Sequence, residues 1–196
     1  MELFKKKYSS YSDEKLMVFI TKRDSRAFEE LYDRYSRRMV NYFYKMLWQD
    51  EEKAQDFMQD LFSKIVHKPH LFDESRLFKT WIYSVANNMC KNEYRKREVR
   101  KISNNSIEGD VAGEKASKTI NKIDLGAFSE KLEVILHQLD DKKSGTFRLR
   151  FYEDMSIKEI SEIMDCSEGT VKSRIFYTLK LLNKELSEYR EILQNG

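Results

Sequence analysis

Large apolar residues recur at three- and four-residue steps through most of this chain, the spacing that lines up along one face of an α-helix. The cleanest run is Ala54, Phe57, Met58, Leu61, Phe62, Ile65 and Val66, with Asp56, Gln59, Asp60, Ser63 and Lys64 on the opposite face. Similar stripes run through Ala27, Phe28, Leu31, Tyr32, Tyr35, Met39, Phe43 and Leu47, and through Phe78, Trp81, Ile82, Val85, Ala86 and Met89. Nearer the C-terminus they pass through Phe128, Leu132, Ile135, Leu136 and Leu139, then Val171, Ile175, Leu179, Leu182 and Leu186. One proline and six glycines in 196 residues leave few turn formers, which excludes sandwiches and barrels. An all-α fold is expected.

Helix ends are signalled locally. Ser12 is placed to cap a helix whose first turn holds Asp13 and Glu14, where acids favour the helix dipole. Pro69 breaks the third stripe. Ser156 with Glu159 three residues on forms a capping box, opening a short helix over residues 157–164. Asp165-Cys166-Ser167 then gives a tight connection to the next helix, which is basic. Two short helices joined by such a turn make a helix-turn-helix. Between Arg95 and Ala127 there is no aromatic residue, although aromatics make up 13% of the chain. Residues 99–126 therefore read as a flexible linker, too poor in bulky surface to offset ordering entropy. Fully extended it would span about 90 Å, at roughly 3.3 Å per residue. The expected organisation is two small helical domains, 1–98 and 127–196, flanking that linker.

The net charge of +3, from 36 basic and 33 acidic side chains, hides a strong segregation. Gln49–Asp60 carries Asp50, Glu51, Glu52, Asp56 and Asp60 against Lys53, a local net of −4. Lys91–Lys101 carries Lys91, Arg95, Lys96, Arg97, Arg100 and Lys101 against Glu93 and Glu98, a net of +4. Thr170–Lys184 has Lys172, Arg174, Lys180 and Lys184 and no acid. Charge runs are commonly solvated helix faces, but two separated basic helices point to a polyanion and the acidic one to a different partner.

In a helix-turn-helix the second helix enters the DNA major groove and its early residues reach base edges. Here those are Thr170, Lys172, Ser173, Arg174 and Tyr177, with Lys180 one turn beyond. The stretch Asn88, Lys91, Asn92, Tyr94, Arg95 and Lys96 mixes amides, an aromatic and cations, a combination suited to unwound nucleic acid, where rings stack on bases and cations track phosphates. The loop before Phe78 carries His70, Leu71, Phe72 and Asp73, whose apolar members serve either as core plugs or as a base pocket. His67 and His70 are separated by Pro69 and lack a ligand motif, so no metal is expected. Cys90 and Cys166 form neither a disulfide framework nor a zinc set. There is no phosphate loop and no nucleophile elbow, so no enzyme, cofactor or small-molecule substrate is expected. No apolar stretch reaches membrane-spanning length, and the basic Lys5–Lys7 cluster is not followed by an apolar export segment; a cytoplasmic location is expected.

The residues at 157–164 and 167–174, ending in the string Gly-Thr-Val-Lys-Ser-Arg, resemble region 4 of bacterial sigma factors of the compact extracytoplasmic-function group. Phe78 to Asn88 resembles their regions 2.3 and 2.4, and Ala27–Tyr32 and Asp56–Phe62 resemble regions 2.1 and 2.2. The resemblance covers most of the chain outside the linker, in the family's order. It implies an alternative sigma factor that joins core RNA polymerase and directs it to promoters. Asp56, Gln59, Asp60, Ser63 and Lys64 would bind the β′ clamp helices, and the C-terminal domain would touch the β flap. Asn88, Lys91, Asn92, Tyr94, Arg95 and Lys96 would recognise and melt the −10 element, with an unstacked base held by His70, Leu71, Phe72 and Asp73. Thr170, Lys172, Ser173, Arg174, Tyr177 and Lys180 would read the −35 element. An anti-sigma factor is a further implied partner, one that could hold the protein at the inner membrane. Arg23 and Asp165 stand where the family often has glycine, Asp140 where proline is common, and Phe176-Tyr177 where a small residue and arginine are common. The alternative is a stand-alone helix-turn-helix regulator, which would leave the acidic helix without a use.

Overall fold

The computed structural model describes residues 8–103 and 125–189, and all regular structure among them is helical. The helices are α1 (Asp13–Thr21), α2 (Ser25–Met46), α3 (Glu51–His67), α4 (Phe78–Ser103), α5 (Leu125–Gln138), α6 (Asp141–Phe151), α7 (Ile157–Met164) and α8 (Glu168–Glu185). The expected linker falls largely on residues 104–124, which lie outside the described ones. At its edges the chain is helical, because α4 continues through Val99–Ser103 and α5 begins at Leu125. The Lys, Arg and Glu residues at the end of α4 are good helix formers with no breaker among them. Packing divides the described residues into two units, one running to Glu93 and including Glu162–Asp165, the other formed by the remainder.

In the first unit α2 and α3 are joined by only four residues, so they pack side by side. Their shared core is Leu31, Tyr35, Met39 and Phe43 from α2 with Met58, Leu61, Phe62 and Ile65 from α3, all buried. Edge-to-face ring pairs fix the register, Tyr32 against Phe62 at 4.8 Å and Phe43 against Phe57 at 5.5 Å. Val66, expected in the stripe, is 44% exposed. It lies one residue, about 100°, beyond the buried Ile65, and the stripe is narrower than the sequence pattern indicates.

Helix ends here rely on left-handed residues followed by an acidic cap. After α1, Arg23 adopts φ 62° and the Asp24 N–H donates to the Phe19 carbonyl at 3.1 Å. Asp24 then caps α2 by accepting from the Arg26 and Ala27 N–H groups. After α2, Trp48 and Gln49 have φ 56° and 61°, and Asp50 caps α3. The first joint is the helix C-terminal motif that normally takes glycine.

The start of α4 is held from outside the helix. Its cap position is Leu77, whose carbonyl accepts the Trp81 N–H but whose side chain has no acceptor. The Glu14 carboxylate of α1 fills that role, accepting the Phe78 N–H at 3.0 Å. Burial alone would raise the Glu14 pKa, but hydrogen bonds from the Phe78 N–H, its own N–H and the Ser12 hydroxyl bring it below the ordinary carboxylate value. That contribution to stability is complete above the ordinary value and is lost as pH falls through the lowered one. Neighbouring Asp13 accepts from the Tyr35 hydroxyl and from Arg34, the latter at 2.6 Å.

In the second unit Ile135, Leu136, Phe147 and Leu182 form the core, with Leu132, Leu139, Tyr152, Leu181 and Leu186 against it. The capping box forms as expected, with reciprocal bonds between Ser156 and Glu159. Asp140 caps α6 through the Lys143 N–H at 2.9 Å. The turn after α7 has Asp165 at φ 50°, with the Cys166 N–H donating to the Ser161 carbonyl at 3.1 Å, and Ser167 caps α8. The expected core face of α8 needs correction. Thr178 is buried and Leu179 is 43% exposed. At about 100° per residue, position 178 lies about 20° from Val171 around the helix and position 179 about 80°.

A buried charge was not legible in the sequence. Arg148 of α6 is 1% exposed and pairs with Glu133 of α5 at 2.7 Å. The approach is close, but the Arg148 N–H is not aimed at the carboxylate for a hydrogen bond, and Nη2 meets no acceptor among the described residues. Ser144 accepts from Nε at 3.3 Å, and the Tyr152 hydroxyl donates to Glu133 at 2.9 Å. Such a pair adds little net stability, yet stranding one member is costly.

Two outcomes are expected. Arg23→Gly should raise the urea midpoint of the first unit by the equivalent of about 0.5–1 kcal/mol, since glycine avoids the left-handed penalty; an unchanged or lowered midpoint would contradict the backbone reading. Glu133→Ala should destabilise the second unit by about 3 kcal/mol, whereas Glu133→Leu with Arg148→Met should recover most of the loss, and equal losses in both variants would argue against a stranded arginine.

Candidate nucleic-acid and protein interfaces

Packing of α3 against α2 leaves one polar face outward. Asp56, Gln59, Asp60 and Ser63 are spaced i, i+3, i+4, i+7, and with Lys64 all five are exposed. The only basic residue in the acidic stretch, Lys53, is drawn aside. Its ammonium pairs with Glu93 at 3.0 Å and lies 5.6 Å from the Trp48 ring centre. The outward face of α3 therefore keeps Asp56 and Asp60 unopposed by Lys53. Early acids also favour the helix dipole, which accounts for Glu51 and Glu52 but not for positions 56 and 60, beyond the first turn.

On α4, Asn88, Asn92, Arg95 and Lys96 are exposed, and Lys91 and Tyr94 are half-buried. Positions 88, 91, 92 and 95 repeat the same one-face spacing. Tyr83 and Asn87 of the same helix are buried. Tyr83 packs edge-on against Tyr42 at 5.3 Å and belongs to the core.

The loop before α4 divides its four candidate residues. His70, Leu71 and Asp73 are exposed, Leu71 by 56%. Phe72 is buried, edge-on to Phe78 at 5.6 Å and to Trp81 at 5.4 Å, so it anchors the loop rather than lining an open pocket. The Asp73 carboxylate accepts both the Ser75 hydroxyl and the Ser75 N–H, which hold its pKa below the usual range and close the loop's second half into a turn.

On α8, Lys172, Ser173, Tyr177 and Lys180 are exposed. Thr170 and Arg174 are half-buried at the flank, Thr170 with its hydroxyl 2.9 Å from Ser167 Oγ and Arg174 donating to Cys166 Sγ at 3.5 Å. Phe176, absent from the expected set, is 62% exposed and lies four residues from both Lys172 and Lys180. The helical period that selected those lysines places it between them.

Residues 31–100 match the family profile Sigma-70 region 2, and residues 129–182 match Sigma-70, region 4. The RNA polymerase sigma-H factor of Pseudomonas aeruginosa is 28% identical over 181 residues, covering 89% of this chain and 93% of that protein. The ECF RNA polymerase sigma factor SigW of Bacillus subtilis is 28% identical over 180 residues, covering 86% and 94%. This chain belongs to the sigma-70 family, in its extracytoplasmic-function group. It is an alternative sigma factor.

The fold agrees with solved members. CnrH, in a complex with the cytosolic domain of CnrY, superposes with a TM-score of 0.67 at 19% identity, covering 91% of this chain and 99% of that one. RpoE of Bartonella quintana, in a complex with the anti-sigma factor NepR, gives 0.66 at 20% identity, covering 82% and 96%. Within the sigma factor, exposure separates the candidate residues into outward-facing ones, half-buried flanking ones and the buried Phe72.

If the outward face of α8 meets DNA phosphates, replacing Lys172 and Lys180 by Ala should reduce the slope of log affinity against log salt by about 2, because each neutralised phosphate contributes roughly 0.9 to it. An unchanged slope would place the DNA-binding surface elsewhere.

Proposed function

We propose that this sigma factor divides its two partners between opposite kinds of helix face. The acidic outward face of α3 binds core RNA polymerase at the β′ clamp helices, through Asp56, Gln59, Asp60, Ser63 and Lys64. The C-terminal half of α4 tracks the melted −10 strand, with Asn88, Asn92, Arg95 and Lys96 exposed to it and Lys91 and Tyr94 at its margin. His70, Leu71 and Asp73 present the loop surface that holds an unstacked base, and Phe72 supports it from beneath. The outward face of α8 reads the −35 duplex through Lys172, Ser173, Tyr177 and Lys180, flanked by Thr170 and Arg174. Residues 1–98 and 127–196 act as the two modules, and the segment between them spans the two promoter elements.

The observation that carries this reading is the capped helix-turn-helix whose second helix exposes cations and no acid over residues 170–184, in the same chain as an exposed acidic α3. A stand-alone regulator would use the first feature and leave the second idle. Strand opening needs no catalytic group in this scheme. Capture of unstacked bases and the single strand offsets the few kcal/mol that unstacking costs. The protein would thus act without cofactor or chemistry of its own, in the cytoplasm where transcription occurs. No helix among the described residues is long and apolar enough to cross a membrane. The β flap is the proposed second polymerase contact, made by the C-terminal module. An anti-sigma factor is the proposed regulator, supported by the partners named for the two similar solved structures.

Run-off transcription from a genomic fragment library with purified core polymerase tests the reading. Discrete promoter-dependent transcripts are expected only when this protein is added; DNA binding without any transcript would favour the regulator. Asp60→Lys should weaken polymerase affinity about tenfold while duplex binding by α8 persists. Unchanged polymerase affinity would remove α3 from that contact.

A further inference from the structure

The loop proposed to hold an unstacked base gets its shape from α1, through two linked sets of contacts. The first is the bond from the Phe78 N–H to Glu14, made across 64 positions of sequence. It satisfies a free N–H at the start of α4, where the cap residue Leu77 offers no side-chain acceptor. The second is aromatic. Asp13 accepts from the Tyr35 hydroxyl, the Tyr35 ring lies edge-on to Phe78 at 5.2 Å, and Phe78 meets Phe72 of the loop at 5.6 Å. Trp81, one turn into α4, closes the set against both Phe72 and Phe78.

Both sets converge on the first turn of α4, and Phe72 is the only large side chain of the Pro69–Asp73 segment that is buried there. His70, Leu71 and Asp73 hang on either side of it. If the first turn of α4 frays, Phe72 loses the rings it rests on, and the exposed residues lose their fixed spacing. The Glu14 carboxylate is taken up by the Phe78 N–H at the start of α4.

We propose that Glu14 is a positioning residue for promoter opening: by capping α4 it holds the loop in the geometry that captures the melted strand. The proposal rests on the reading of that loop given above. It separates two steps that a sigma factor must perform. Joining polymerase and binding duplex DNA are assigned to α3 and α8, whereas strand capture uses the element that Glu14 caps.

The test uses holoenzyme assembled from the full chain, on a promoter recovered from the fragment library, with permanganate reactivity of unpaired thymines as the readout of opening. Glu14→Ala should lower the open fraction about five- to tenfold, as expected for removal of one helix cap, with polymerase affinity and the salt slope of duplex binding unchanged. Glu14→Gln should restore most of the opening, because its amide oxygen can accept the same N–H. Opening by Glu14→Ala equal to wild type overturns the inference alone. So does a parallel loss of polymerase affinity, which would make Glu14 merely structural, or a Glu14→Gln variant as defective as Glu14→Ala. A wild-type holoenzyme that opens no promoter overturns the reading of the loop and the inference with it.

Discussion

Each helix of this protein has to bury one face, and that requirement decides which residues remain to meet a partner. On α3 the burial of Met58, Leu61, Phe62 and Ile65 turns Asp56, Gln59, Asp60 and Ser63 outward. On α8 the burial of Val171, Thr178 and Leu182 turns Lys172, Phe176 and Lys180 outward. Neither of these outward faces is a pocket. Both are the polar remainder of an amphipathic helix, and their chemistry follows from the register of the core beneath them. A one-residue error in reading that register exchanges a core residue for a contact residue, as Thr178 and Leu179 demonstrate.

The connections keep that register. A left-handed residue ends α1, α2 and α7, and an Asp or Ser cap begins the helix that follows in each case. Stopping a helix abruptly in this way lets the next one start in a defined direction within a few residues. Among the described residues Arg23, Trp48, Gln49, Asp154 and Asp165 hold positive φ, the conformation that glycine adopts most easily. Each such residue carries a modest conformational cost. Near α4 the local signals give out, and a carboxylate from α1 supplies the missing cap.

Much of this was legible in the sequence because it is periodic or local. The helical class, the capping box at Ser156, the three-residue turn before α8 and the outward positions on α3 all follow from spacings of three or four residues. Phe72 was ambiguous for a physical reason: a phenylalanine in a loop reads the same whether it plugs a core or faces solvent, and only the rings of Phe78 and Trp81 decide it. Tyr83 and Asn87 carry polar groups and are buried, since a long helix packed on more than one side has a wider core face than its apolar letters indicate. The Arg148–Glu133 pair and the Glu14 cap were invisible because their partners come from different helices. Phe176 lay within reach of the helical period, but its apolar character kept it out of a set chosen for cations and hydroxyls.

Near-neutral overall charge fits the proposed division of surfaces, an acidic face for one partner and basic faces for another. The division is tested most directly by placing a photo-crosslinking side chain at Gln59 and, separately, at Tyr177 in promoter-bound holoenzyme. Position 59 should crosslink to the largest polymerase subunits and not to DNA, and position 177 to upstream promoter DNA. Crosslinks from position 59 to DNA, or from position 177 to polymerase alone, would contradict the assignment of the two faces.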